Sequence, residues 1–421
     1  MHSFHQIQFP SIIEGHQTAL KQVAGDLLHG LKLYEKKRAY LIGHLALSEG
    51  VAPHKNINAS PGEIEYLLLA KAAVLLASDQ TGQKRMTVTT GFPSPTYHLY
   101  RELAISLLQK EHVIEFDGGT FGPDTRRHQA VDLERVEVMT EIAGCVLALR
   151  EGETRAEGNF FVISLGFGTC EAILSTESGT VQRTTASLYG LRYAVNSLMN
   201  DISKQHYLEL QNEHQLDLAF QKGFLFSNRK RVDLREARER ALHQYYHDVI
   251  SPALRKAFLD TDFQRADRMY LVGGGAHYTE LVDLFKAEFK DITDVVVPND
   301  PLGMASIGYA IHSVKCQNGH HKGAVGLDLG NASTIVSFVN NQQAGAPVPR
   351  QQQRETSDST DTLAKNTTDT GSDETHFAAA PAYNTAASNS LEPIARAPLY
   401  SLYKPLSRAE RWSKFLQTGM W

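Results

Sequence analysis

Cysteine is scarce in this chain. Its 421 residues include three, Cys145, Cys170 and Cys316, odd in number, widely spaced and never in a Cys-x-x-Cys pair. That excludes a disulfide framework and a cysteine-built zinc site, and predicts reduced, half-buried thiols in a cytoplasmic protein. Strong charge of either sign is also missing. A formal net charge of -5 is too small to draw a polyanion or a membrane surface, so direct nucleic-acid contact is not expected. The most apolar run, residues 66–77, is interrupted by Lys71 and is too short to span a bilayer. The first ten residues lack a basic segment followed by an apolar one, which argues against secretion. The 18 histidines show no metal-like spacing: His320 and His321 read as linker, His2 and His5 as strand. Neither a GxxxxGK[ST] loop nor a G-x-G-x-x-G fingerprint occurs.

What is present is strand and helix in alternation over residues 1 to about 340, the pattern of an α/β protein with helices packed on mixed sheets. Residues 87–91 read as a strand ending in a glycine turn, 97–110 as a helix, 134–139 as a short strand and 141–150 as an apolar helix. Strands at 160–163 and 172–175 flank a turn, and long helices are expected over 188–204 and 234–260. A buried strand at 269–272, a helix over 278–290, a strand at 295–297 and a helix over 302–314 follow. Arg229 to Arg231 read as a solvated basic loop. After Asn340 the chain turns rich in Gln, Thr, Ser, Asp, Asn and Ala, too poor in large apolar residues to offset its ordering entropy, and is expected to be disordered. Residues 399–421 regain aromatics. Ser407 can cap a short helix with Trp412, Phe415 and Leu416 on one face, a tethered docking peptide or simply an unstructured chain end.

Three glycine-bearing turns carry chemistry. Gly326-Leu-Asp-Leu-Gly-Asn-Ala-Ser-Thr334 joins two apolar strands through a turn whose backbone N–H groups can cradle phosphate, while Asp328 can organise a Mg²⁺ shell. Residues 160–171 form a second such hairpin, with Gly166 and Gly168 in the turn and Thr169 supplying a hydroxyl. Alone, a Gly-x-Gly between strands is more often an ordinary turn. Gly273-Gly-Gly275 follows a buried strand and would let a flat nucleoside lie on bare backbone; a plain helix–strand packing turn is equally consistent. Glu141, in a first helical turn, is either a helix-dipole partner or a group able to orient an attacking water.

As a set these stretches resemble the bacterial and archaeal actin-like ATPases of the ParM (plasmid-segregation) type, in the actin and sugar-kinase-like superfamily. Glu141-Ile-Ala-Gly144, Pro301 to Gly308, Phe9-Pro-Ser11, Tyr40 to Leu47 and Thr90-Gly-Phe-Pro93 add to the likeness, which covers residues 1 to about 340. The resemblance implies a two-domain actin-like (ribonuclease H-like) α/β fold. Residues 1–150 with 301–340 would form domain I, residues 151–300 domain II, and 341–421 the disordered tail. It implies ATP and Mg²⁺ in the cleft. Asp328 would organise the metal through water. Gly330, Asn331, Ser333 and Thr334 would line the phosphates, with Ser164, Gly166, Gly168 and Thr169 opposite. Gly273, Gly274 and Gly275 would hold the adenosine, and Glu141 the hydrolytic water. In that family the first hairpin precedes the Phe-Pro-Ser segment, whereas here it follows the last helix. A circular permutation by one strand pair is the simplest account, with residues 2–8 as the strand beside the hairpin. Exchange with a neighbouring subunit is the competing one. Ser164 replaces the family's usual Asp, which implies retained binding and slow hydrolysis; Glu171 stands where a further Asp is common. The expected function is an ATP-dependent filament that segregates plasmid DNA or positions cargo. Its partners would be copies of itself and a DNA-binding adaptor or other protein met through the tail. The alternative is a non-polymerising ATP-binding adaptor.

Overall fold

The computed structural model describes residues 3–55, 60–123, 126–206, 213–227 and 229–339. The polar tail, its terminal helix and the strand position expected for His2 lie outside the described residues. The chain opens with β1 (Phe4–Pro10), β2 (Ile12–Gly15), β3 (Lys32–Glu35), β4 (Arg38–Ile42), a short α1 (His44–Glu49) and β5 (His54–Lys55). Then come α2 (Ile64–Thr81), β6 (Arg85–Phe92), α3 (Ser94–Leu108), β7 (Glu111–Asp117), β8 (Arg126–Thr140) and α4 (Glu141–Glu151). The middle of the chain forms β9 (Phe160–Leu165), β10 (Thr169–Thr176), β11 (Gly179–Tyr189), α5 (Arg192–His206), α6 (Glu213–Lys222), β12 (Phe224–Ser227) and β13 (Lys230–Asp233). It continues through α7 (Arg235–Tyr245), α8 (Ser251–Ala257), α9 (Asp260–Phe263), β14 (Arg268–Val272), α10 (Thr279–Glu288) and β15 (Asp294–Val296). It closes on α11 (Met304–Cys316), β16 (Ala324–Leu329) and β17 (Ser333–Val339).

Two large sheets result. The first has ten strands in the order β1-β17-β16-β6-β8-β7-β3-β4-β2-β5, the second five, β11-β10-β9-β14-β15. In the second, β9 is buried at every position and pairs antiparallel with β10 and parallel with β14, which is why it reads as an unbroken apolar run. In the first, the hairpin β16–β17 fills a slot in its own chain's sheet. β17 runs antiparallel to β1 from Phe4↔Val339 to Pro10↔Ser333, and β16 lies parallel to β6. Helix α2, buried on nearly all sides from Tyr66 to Ser78, packs beneath this sheet, because a helix apolar all round has no solvent face to offer.

Helices α4 and α11 cross at bare backbone. A Cβ on Gly308 would lie 1.9 Å from the Gly144 carbonyl oxygen, so only glycine permits this approach. Here one expectation is corrected: Gly91 is not a turn but lies inside β6, where it leaves room for the Tyr309 ring. Several boundaries also move. β8 is a single strand of 15 residues rather than a short one, because its alternation continues through exposed polar positions. The helix expected over 188–204 starts only at Arg192, since β11 runs on to Tyr189. The helix expected over 234–260 includes a π-helical turn at Tyr246–Ile250 and stops at Phe258, whose backbone is extended. Lys230 and Arg231 belong to a two-stranded hairpin, not a loop. Of the thiols, Cys145 and Cys170 are buried and only Cys316 is intermediate.

Candidate functional site

The two glycine turns face each other. β16 and β17 pair as far as Leu329↔Thr334, leaving Gly330, Asn331, Ala332 and Ser333 between them, while Leu165↔Cys170 closes the second turn around Gly166, Phe167, Gly168 and Thr169. Their tips meet: a Cβ on Gly168 would lie 2.4 Å from the Asn331 Oδ1. The Phe-Pro-Ser stretch holds the first turn in place, since the Ser11 N–H donates to the Ala332 carbonyl (3.1 Å) and the Ser11 and Thr334 hydroxyls are hydrogen-bonded at 2.9 Å.

Around these tips opens a cleft of about 1030 Å³, lined from both sheets. Of the residues singled out from sequence, Gly330, Asn331 and Ser333 line it on one side, Ser164, Gly166, Gly168 and Thr169 on the other, with Asp328 and Glu141 between them. Gly273 and Gly274 line its far wall. Two are not at the surface of the cleft. Thr334 is fully buried against Ser11, and Gly275 packs against Leu165, where a Cβ would come within 2.6 Å. Gly273 is obligatory: its φ is +83°, and a Cβ would press on the backbone of Leu165.

The floor of the cleft is acidic. Glu141 opens α4, and its Oε1 accepts a hydrogen bond from the Ser164 hydroxyl at 3.1 Å. Burial, then the charges of Asp328 and Glu171, push its carboxyl well above the usual carboxylate range against the lowering effect of Ser164. Burial raises Asp328 to about 7. Burial also raises Glu171, although the N–H of Ser94 offsets part of this. The same surroundings push the Cys145 thiol up, so it is held as an unreactive thiol. Carboxylates crowded in this way repel one another, which favours their protonated forms.

No protein-family model matches the sequence, and no curated protein matches it. Solved structures do. The archaeal actin homologue Ta0583 superposes with a TM-score of 0.58 at 18% identity, over 73% of this chain and 92% of that one. A non-polymerisable quadruple mutant of pCBH ParM gives 0.60 at 19% identity, over 74% and 96%. A 15-stranded ParM filament from Clostridium botulinum gives 0.56 at 17% identity, over 72% and 90%. This chain has an actin-like fold of the ParM type.

Sequence reasoning missed part of the cleft in this ParM-type fold. Beyond the glycine wall it is lined by Tyr278, Thr279 and Glu280 at the start of α10 and by Arg238 of α7. The Arg238 guanidinium donates to Glu280 Oε1 at 2.6 Å and to the carbonyls of Phe220 and Gln221 at 3.3 Å, tying α6, α7 and α10 together. Glu280 had a readable signal, an acid in the first turn of the helix after the triple glycine. Arg238 had none, since it lies in a charged helical stretch like any solvated face. Among the described residues, no helix is long and apolar enough to cross a membrane.

Proposed function

We propose that the chain is an actin-like protein that binds ATP with Mg²⁺ in this cleft, assembles into filaments and hydrolyses the nucleotide slowly. One observation carries the reading: two glycine turns from separate sheets meet over a cleft whose floor holds Asp328 and Glu141. Gly330, Asn331 and Ser333 would meet the phosphates from one side and Gly166, Gly168 and Thr169 from the other. Gly273 and Gly274 would carry the adenosine, while Thr334 and Gly275 support the two walls from behind. Among the described residues no three His, Cys, Asp or Glu side chains form a metal cage. That suits Mg²⁺, which keeps most of its waters and takes one or two carboxylates beside the phosphates, with Asp328 as the carboxylate here. The metal would shield phosphate charge during transfer, and Glu141 would orient the attacking water. Ser164 contributes a hydroxyl to Glu141 but no charge to the metal, which supports slow turnover. The archaeal actin homologue has also been solved in complex with ADP, and the botulinum ParM forms a filament; both support the reading. The register Phe4↔Val339 supports a circular permutation, since the hairpin's end meets the start of β1. The two sheets would then be the cores of the two domains. The proposed setting is cytoplasmic, in plasmid segregation or cargo positioning through an adaptor.

Sedimentation with ATP, ADP or no nucleotide, each with Mg²⁺ or EDTA, tests the reading. Pelleting that needs ATP and Mg²⁺, with phosphate release well below that of ParM filaments under the same conditions, is the expected result. Binding of ATP without pelleting at any concentration would replace the filament by a nucleotide-binding adaptor. Absence of ATP binding would remove the reading altogether.

A further inference from the structure

The basic stretch at Arg229 does not line the cleft. It belongs to the hairpin β12–β13, a two-stranded sheet of its own between α6 and α7. The cross-strand pair Leu225↔Val232 packs into the hydrophobic core that holds Phe161 and Leu165 of β9. Alternation then turns Phe224 and Phe226, with Asp233 and Arg231 across from them, to the other face. Phe226 is 69% exposed and edge-on to Phe224 at 5.9 Å. The Arg231 guanidinium lies 4.0 Å from the centroid of the Phe224 ring. Both carboxylate oxygens of Asp233 accept from the Arg235 guanidinium.

Positive charge gathers around these rings. Residues 220–232 hold four Lys or Arg and no Asp or Glu. Lys222, Arg229 and Lys230 are exposed and make no ion pair among the described residues. Lys222 stands at the base of the hairpin. Lys230 closes its end opposite Ser227, and Arg229, at φ +64°, takes the left-handed turn position beyond. Phe226 lies between base and end, so a strand laid along the ribbon meets charge, ring and charge again. The chain's net charge of -5 averages the whole surface and does not describe this patch.

We propose that the β12–β13 hairpin binds single-stranded DNA directly, with Lys222, Arg229 and Lys230 on phosphates and Phe226 stacked on an unpaired base. Exposed cations match a phosphate backbone, and a phenyl ring, which cannot hydrogen-bond to a base edge, matches the face of a base. The contact is therefore sequence-tolerant and needs bases free of a duplex. A bilayer anchor buries its apolar groups deepest, whereas here Arg229 and Lys230 form the end and Phe226 stands behind them. An acidic peptide would satisfy the cations and leave the ring in water. With Asp233 engaged at both oxygens, the outer face presents no free carboxylate to a ribose 2′-hydroxyl, which favours DNA over RNA. The contact goes beyond the adaptor-mediated role proposed above and does not require nucleotide in the cleft.

Fluorescence anisotropy of a labelled thymidine DNA oligonucleotide of about 20 residues, titrated with the full chain in the absence of ATP, tests the proposal. Between about 50 and about 200 mM salt, log affinity should fall against log salt with a slope of about -2, as for three phosphates. Lys230→Gln should make that slope shallower by about 0.7. Phe226→Ala should weaken binding about tenfold at unchanged slope, and Phe226→Tyr, which keeps the ring, should restore it. All three positions are exposed, so the denaturant midpoints of these variants should match that of the unaltered chain. Absence of binding at about 50 mM salt overturns the proposal. So does equal binding by a chain carrying Lys222→Gln, Arg229→Gln and Lys230→Gln together. Tighter binding to the duplex, to RNA of matching sequence, to phosphatidylserine vesicles or to polyglutamate would also overturn it, by assigning the hairpin to that partner. Failure of the chain to bind ATP removes the function proposed above and leaves these measurements unaffected.

Discussion

Burial lifts Asp328 from an ordinary 3.8 to about 7, and Glu141 rises in the same direction. Between those values the folded protein keeps a proton that the unfolded chain has released. Stability must therefore fall as pH rises through this window, with the loss complete above the folded value. Asp328→Asn removes the titrating group while keeping its shape. Denaturant midpoints of the nucleotide-free protein, taken from pH about 4 to about 7.5, should decline in the unaltered chain and decline less in the variant. Identical slopes in the two proteins would refute the assignment. The same crowding gives Ser164 a physical sense. An Asp there would add a further carboxylate beside Glu141, already raised by burial and by Asp328 and Glu171, so the serine spares the cleft a charge.

At the scale of elements, the closest approach is the crossing of α4, which opens with Glu141, and α11, which packs on β16. The contact is backbone on backbone at Gly308 and Gly144. Gly308→Ala places a methyl 1.9 Å from a carbonyl oxygen that cannot swing aside, and should destabilise the protein by about 1–3 kcal/mol or more, read as a lower denaturant midpoint. Gly15→Ala has nothing within 4 Å and no left-handed φ to strain, so it should be neutral or stabilising by up to about 1 kcal/mol. Equal effects at the two positions would show that the crossing is not tight.

This level also shows what the sequence made legible. Both glycine turns were readable because an apolar strand stands on each side, and Glu141 because it opens an apolar helix. Gly91 was misread since composition cannot tell a glycine that leaves space for Tyr309 from one that bends the chain. Arg238 was invisible, because its partners Phe220, Gln221 and Glu280 come from other helices. The break at Phe258 likewise follows from tertiary packing, with the Phe258 ring tilted against Phe161 at 4.5 Å and edge-on to Phe263 at 6.1 Å.

For the molecule as a whole, the decisive geometry is the meander β16–β17–β1. Phe4 faces Val339 directly, so their Cα atoms lie about 4.5–5.5 Å apart, a gap that a two-residue Asn-Gly turn closes. The other candidate cut, between Asn318 and Gly319, falls in an exposed segment after α11. A recut chain running from Gly319 to Val339, then Asn-Gly, then Phe4 to Asn318, keeps every strand pair and changes only which loop is open. Loop closure depends weakly on length, so its unfolding midpoint should match that of the residue 1–339 chain within about 1 kcal/mol. Ending the chain at Asn318 instead removes Val325, Leu327 and Val336 from the core and leaves β1 and β6 without the hairpin that lies between them, so that fragment should not fold. Circular dichroism and denaturant titration of the two designs decide the matter. A recut chain that fails to fold would show that β17 and β1 cannot be joined as their register implies, and the permutation would fall with it.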